Sequence, residues 1–125
     1  MSDRLPNYQQ AHIDPAKFVA YSMNSTNPRN QGKWLAFEAI GYQLHERTLR
    51  LEAAENVIQQ LINQLPYVQA VIGRTTPYGV RYRVRCRITG PNSQVGTLVT
   101  VWQISPNSDV PRLITNWLEV HHDQN

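Results

Sequence analysis

The chain has 125 residues, 41% of them hydrophobic, a formal net charge of +3 and a single cysteine. That length supports one domain, residues 1–125, with one modest core, and the apolar content excludes a disordered chain. No apolar run approaches the roughly 18 residues of a membrane span, one cysteine excludes an internal disulfide framework, and the opening MSDRLPNYQQ lacks the apolar stretch of a signal peptide, so a cytoplasmic protein without a membrane partner is expected.

The first dozen residues are polar, with Pro6 and Asn7 as turn residues. HIDPAKFVAYSMN carries a helix start: Asp14 suits a cap, Pro15 the first helical position, and Phe18, Val19 and Tyr21 or Ser22 begin the faces. NSTNPRNQG, residues 24–32, is a loop by composition. QGKWLAFEAIGY reads as a second helix, with Trp34, Phe37 and Ala36 or Ile40 inward and Gly41 as its stop. Residues 43–51 are ambiguous between an extended lead-in and an early helical turn. From about Leu51 the three-four spacing of Leu51, Ala54, Ile58, Leu61 and Leu65, with Val57 and Ile62 beside them, predicts a core-facing helix ending at Pro66.

After Pro66 the period changes to two. A short strand is expected at 68–73, strong strands at 79–89 and 95–104, and another at 112–120, separated by GPNSQ and SPNSDVP turns. The 95–104 strand is apolar on both faces and is expected inside the sheet. The fold class is therefore α+β: N-terminal helices, about 14–66, packed on one face of a C-terminal antiparallel meander, about 68–120.

The basic charge is uneven. Only two of the twelve basic residues are lysine, and four of the ten arginines stand at Arg81, Arg83, Arg85 and Arg87. In a strand these share one face at about 6.8 Å intervals, while Val80, Tyr82, Val84, Cys86 and Ile88 turn to the helices. Guanidinium forks match phosphate geometry, and unpaired like charges in a row repel unless something anionic balances them. A nucleic acid, an acidic protein partner, or a solvated face paired internally by Glu46, Glu52, Glu55 or Glu119 each accounts for the ladder.

Glycine-rich phosphate loops, CxxC, HExxH and GxSxG patterns are absent, the acids are too scattered for a two-metal site, and no metal or cofactor is expected. His121 and His122 are adjacent, so they read as a tail rather than a ligand pair; His12 and His45 read as surface residues. Cys86, Trp102 and Trp117 read as core. The remaining chemistry suits metal-independent RNA cleavage, in which the substrate's 2′-hydroxyl attacks and the protein moves protons and stabilises the phosphorane. Tyr78, Lys33, Arg112 and Thr115, with the arginine ladder, suffice for that. Tyr78 sits between Pro77 and Gly79 at the mouth of the long strand, where a loop tip meets a rigid sheet.

The segments IDPAKFVAYSMN, NPRNQGKWLAFEAIGY, YGVRYRVRCRITGPNSQVGTLVTVWQI and VPRLITNW resemble an uncharacterised bacterial domain family common in cyanobacteria, over most of the chain. Its members stand beside small partner genes or at the C-termini of Rhs-type polymorphic toxins and phage head proteins. The resemblance implies a toxin-like domain with a cognate small antitoxin protein as partner, and the order of elements looks like the barnase/EndoU/colicin/RelE-like ribonuclease fold. It carries over to Lys33, Tyr78, Gly79, Gly90, Pro91, Asn92, Thr100, Trp102, Pro111, Arg112, Leu113 and Thr115. Of these the polar residues left for function are Lys33, Tyr78, Arg112 and Thr115; Tyr78 stands where many members have histidine, and Trp34 where the usual residue is alanine. The expected function is a toxin of a toxin–antitoxin pair: a metal-independent endoribonuclease acting on tRNA or mRNA, with Arg81, Arg83, Arg85 and Arg87 holding the RNA. The alternative is a non-catalytic module whose basic sheet face docks an acidic partner protein or nucleic acid.

Overall fold

The computed structural model describes residues 3–121. Helical segments come first, then four strands in an antiparallel meander. The N-terminal stretch buries Leu5, makes a 3-10 turn at Tyr8–Gln10 and lays His12 beside the last strand. There the His12 N–H donates to Pro111 O and its carbonyl accepts from Leu113 N. His122 lies outside the described residues.

Asp14 opens the next turn as expected, its Oδ1 accepting from Ala16 N at 3.0 Å. The helical segment it opens is wider than an α-helix. Lys17–Ser22 is π-helical, with Met23 N donating to Phe18 O five residues back. Helix α1 (Lys33–Ala39) begins at the predicted lysine and ends before Gly41, whose φ of 107° only glycine adopts freely. Residues 43–51 resolve into an extended approach and the first turns of α2 (Arg47–Gln64). The core stripe of α2 is Ala53, Ala54, Val57 and Leu61, with Leu65 just beyond its end. Leu51, expected in that stripe, is 40% exposed. Each helical residue advances about 100°, so Leu51 and Ile62 sit about 120–140° around the axis from Val57, outside the buried sector.

The strands are β1 (Ala70–Thr76), β2 (Gly79–Thr89), β3 (Val95–Ile104) and β4 (Arg112–Val120), ordered β1-β2-β3-β4 in the sheet. β2, β3 and β4 occupy the predicted spans, and β3 is an interior strand. β1 runs two residues later at its start and three at its end than expected, and as the outer strand it is exposed on both faces from Val71 to Thr75. The helices cover the sheet face carrying Val84, Cys86, Ile88, Leu98, Trp102, Leu113 and Leu118. Within that core Thr100 is buried and fully used: its Oγ1 donates to Val84 O at 2.9 Å and accepts from Trp102 Nε1 at 2.8 Å. Burial pushes the Cys86 thiol up to about 12, which keeps it protonated and unreactive. The native protein is expected to resist thiol reagents until it unfolds; immediate labelling of Cys86 would contradict this packing.

Two glutamines join α2 to the sheet. β1 pairs with β2 only as far as Ala70↔Val84, which leaves the edge of β2 at Arg87 and Thr89 without a strand neighbour. Gln64 bonds the Arg87 backbone twice, Nε2 to O at 2.6 Å and Oε1 from N at 2.9 Å. Gln60 does the same at Thr89, at 3.1 and 2.9 Å. Each amide imitates a strand peptide. Replacing either with alanine leaves two backbone groups unpartnered and is expected to cost about 1–3 kcal/mol. Chemical denaturation of Gln60→Ala and Gln64→Ala checks this, and midpoints equal to wild type would show that water replaces the amides without loss.

Candidate nucleic-acid interface

Alternation along β2 sends Arg81, Arg83, Arg85 and Arg87 to the face away from the helices, and all four are exposed. Their cross-strand neighbours on β3 are Gln103, Val101, Val99 and Thr97. On β4 the same face carries Arg112, Thr115, Trp117 and Glu119. Arg112 and Thr115 are three residues apart, and a regular strand would turn them to opposite faces. A bulge resolves this. Thr115 pairs with Val101 and Leu113 with Trp102, so β4 carries one extra residue, Ile114, at that step. The shift also turns Trp117 out of the core, where it was expected, onto the arginine face, half-buried with its Nε1 donating to Glu119 Oε2 at 3.4 Å.

The four arginines are not equivalent. Arg85 is paired with Glu119 at 2.8 Å, and this guanidinium, with the Trp117 N–H, holds the Glu119 carboxyl below its ordinary range. Arg81 Nε donates to Gln103 Oε1 at 3.3 Å. Among the described residues Arg83 and Arg87 have no acidic partner; Glu46, Glu52 and Glu55 do not reach the ladder.

Tyr78 is 75% exposed at the tip of the β1–β2 hairpin. Its backbone is tied on both sides: the N–H donates to Thr76 Oγ1 at 3.1 Å and the carbonyl accepts from Gln103 Nε2 at 3.1 Å. Gln103 thereby ties the hairpin tip to Arg81. Gly79, next in the chain, has a φ of 127° and no room for a Cβ, which would stand 2.1 Å from Ile104 O. A groove of about 630 Å³ runs over the sheet between β1 and β4, walled by Tyr78, Arg81, Arg83, Val101, Thr115 and the exposed Val71 among others. It therefore gathers four of the eight expected site residues. Arg85 and Arg87 continue the row beyond it, and Arg112 pairs with Gln103 at its border.

Lys33 is not a wall of that groove. Its Nζ donates to the Tyr21 hydroxyl and lies 4.7 Å from the Tyr21 ring centre. The loop between the π-helical turn and α1 fixes this meeting. Asn30 is buried, donates from Nδ2 to Tyr21 O at 2.6 Å and Ser22 O at 3.0 Å, and accepts from Trp34 N at 3.1 Å. Asn27 donates to Ala20 O at 2.8 Å and accepts from Arg29 N at 2.8 Å. Tyr21 and Arg29 line a second cavity of about 430 Å³ with Lys17, Asp14, Ile114 and Thr115. The Lys33 ammonium lowers the Tyr21 phenol from its ordinary value; burial opposes this, and the Thr115 hydroxyl and the Arg29 charge add to it. Thr115 is thus the wall shared by the two cavities.

Tyr21, Arg29 and Trp117 are the residues that the sequence did not single out for this face and its rim. The signal for Tyr21 was slight, an aromatic with a hydroxyl on a segment otherwise read as apolar. Of the histidines, His12 bridges to Arg112 through its backbone, and His121 is held to β3 by Thr97 Oγ1 and Val95 O rather than loose. Among the described residues no group of three His, Cys, Asp or Glu side chains is set to hold a metal ion.

Fold and site define an α+β domain with one helix-covered sheet face and one basic, open face. The chain belongs to the family described as a domain of unknown function, DUF6883, whose model matches residues 4–119. No curated protein is a match. Among solved structures the chain is similar to one from a contact-dependent growth inhibition toxin–immunity protein complex of Klebsiella pneumoniae 342, at 15% identity and a TM-score of 0.60, over 91% of this chain and 97% of that one. At that identity the likeness is one of fold. No described helix is long and apolar enough to cross a membrane.

Proposed function

We propose that this domain is the toxin of a toxin–antitoxin pair and a metal-independent endoribonuclease that holds single-stranded RNA on its arginine face. The observation that carries this reading is the groove in which Arg81 and Arg83 stand opposite Thr115, with Tyr78 at its end. Guanidinium groups without acidic partners supply the phosphate contacts, and half-buried Trp117 and exposed Tyr78 supply flat faces for bases, the combination that single-strand binders use. Arg112 and Thr115, brought to one face by the bulge, hold the scissile phosphate, and Tyr78 exchanges protons with it. The structural likeness to a chain of a toxin–immunity complex supports a small cognate protein as partner.

Purified protein incubated with total RNA in EDTA is expected to give discrete fragments on a denaturing gel, and Arg83→Glu and Tyr78→Phe to give fewer or none. Intact RNA at high protein excess would sink the ribonuclease reading. A second reading, a non-catalytic module docking an acidic partner, is favoured by the outer strand, where Val71 and Ile72 are exposed on opposite faces beside Arg74. Growth arrest on expression without any partner gene separates the two, since only the enzyme predicts it.

A further inference from the structure

We propose that the Tyr21–Lys33 pair at the β4 rim is the proton-accepting half of a phosphodiester-cleaving site, with Tyr21 taking the proton of the attacking 2′-hydroxyl across the Thr115 wall from Tyr78; this rests on the ribonuclease reading above.

Three observations converge. The phenol of Tyr21 is in direct contact with an ammonium, and the lysine has no acid to neutralise it among the described residues. The pair is held by a buried asparagine and a sequence of side-chain-to-backbone bonds rather than by a mobile tip. Tyr21 also sits in a π-helical turn, a rare, widened backbone that is frequent at functional sites. The charged groups around it are Lys33 from α1, Arg29 from the loop, and Lys17 and Asp14 from the start of the π-helical turn; β4 adds Thr115 and Ile114. Three of the four charges are positive, which favours phenolate and also the phosphate that would enter beside it.

The chemistry is a transesterification. The O2′–phosphorus bond forms as the 2′-hydroxyl proton passes to Tyr21 Oη, and the phosphorus–O5′ bond breaks as Tyr78 gives its phenolic proton to the leaving oxygen. The products are a 2′,3′-cyclic phosphate and a 5′-hydroxyl, and water exchange restores both tyrosines. In-line displacement requires the accepting and donating groups on opposite sides of phosphorus. The two tyrosines lie in separate cavities that share Thr115. Lys33 lowers the Tyr21 phenol from its ordinary value and balances the charge gathering on the phosphorane.

The test uses the whole chain on an RNA oligonucleotide in EDTA across a pH series, with Tyr21→Phe, Lys33→Gln and, as control, the exposed Tyr67→Phe. Tyr21→Phe is expected to lose at least about 100-fold in cleavage rate, the usual weight of a general base, while RNA affinity by anisotropy and the melting midpoint stay at wild-type values. Lys33→Gln keeps the phenol and is expected to move the rising limb of the pH–rate profile to higher pH; Tyr67→Phe cleaves as wild type. Cleavage by Tyr21→Phe at the wild-type rate, or a Lys33→Gln profile whose limb stays in place, overturns the assignment and leaves the ribonuclease reading standing. RNA left intact by wild type overturns both.

Discussion

Removing Arg83 is expected to weaken single-stranded RNA binding more than removing Arg85, though the two arginines are neighbours on one strand face. Arg83 has no acidic partner among the described residues and walls the groove, whereas Arg85 is already bonded to Glu119 at 2.8 Å. A charge-assisted contact is worth about 1.5–3 kcal/mol, so Arg83→Ala should lose roughly 10- to 150-fold in affinity. Each phosphate contact on a single strand contributes about 0.7 to the slope of log affinity against log salt, so removing Arg81, Arg83 and Arg87 together should flatten that slope by about 2. Glu119→Gln acts in the opposite direction, because it frees Arg85 and removes a negative charge from the face. Anisotropy titrations at several salt concentrations read all of these. A slope unmoved by the triple substitution would show that RNA is held elsewhere or not at all.

The second large effect falls on a residue that bears no chemistry. Gly90 reads in the sequence as turn chemistry, yet what it requires is space: a Cβ there would stand 1.8 Å from Ile40 O. The β2–β3 turn is pressed against the end of α1, where Asn92 donates from its backbone to Ile40 O and from Nδ2 to Ala39 O at 3.2 Å. Gly90→Ala must therefore push the turn off the helix and release both bonds. The expected loss is about 3 kcal/mol or more, from overpacking and from the freed polar groups together, a large part of the stability of a domain this size. Denaturant unfolding measures it; a variant as stable as wild type would mean that the turn shifts freely and does not brace α1.

The sheet was readable because a period of two over ten residues has one interpretation, and the same alternation gave the faces of β2 correctly. It failed on β4 at one residue. Counting by twos from Leu113 turns Thr115 and Trp117 inward, and the extra residue Ile114 reverses that parity, so that Asn116 and Leu118 are buried and Thr115 and Trp117 are not. No local feature of PRLITNW marks the bulge; it appears only when β4 is laid against β3. Leu51 failed by phase, since three-four spacing drifts around a helix as it lengthens. The arginine row was legible from strand position and Tyr78 from its place at the hairpin mouth, whereas Thr115 came from the chemistry of RNA cleavage and the family resemblance, against the parity of its strand. The meeting of Tyr21 with Lys33 was not, because it depends on how a twelve-residue separation closes, and that is decided by the bonds of Asn24, Asn27 and Asn30 to the π-helical turn.

The two glutamine amides that finish the edge of β2 also set a limit on how far a helix can stand in for a strand. Four residues of helix advance about 6.0 Å and two residues of strand about 6.8 Å. Gln60 and Gln64 can thus meet Thr89 and Arg87 with a misfit of under an ångström, but a third glutamine one turn on would be more than an ångström out of step by the same rises. The two lattices are commensurate for two rungs only. The remaining edge needs a partner with the same spacing, and β1 supplies it from Val84 back to Gly79. The length of β1 and the position of α2 are consequently one constraint: an insertion of a single residue between Gln60 and Gln64 rotates one amide away from the sheet and opens a gap that neither element can close.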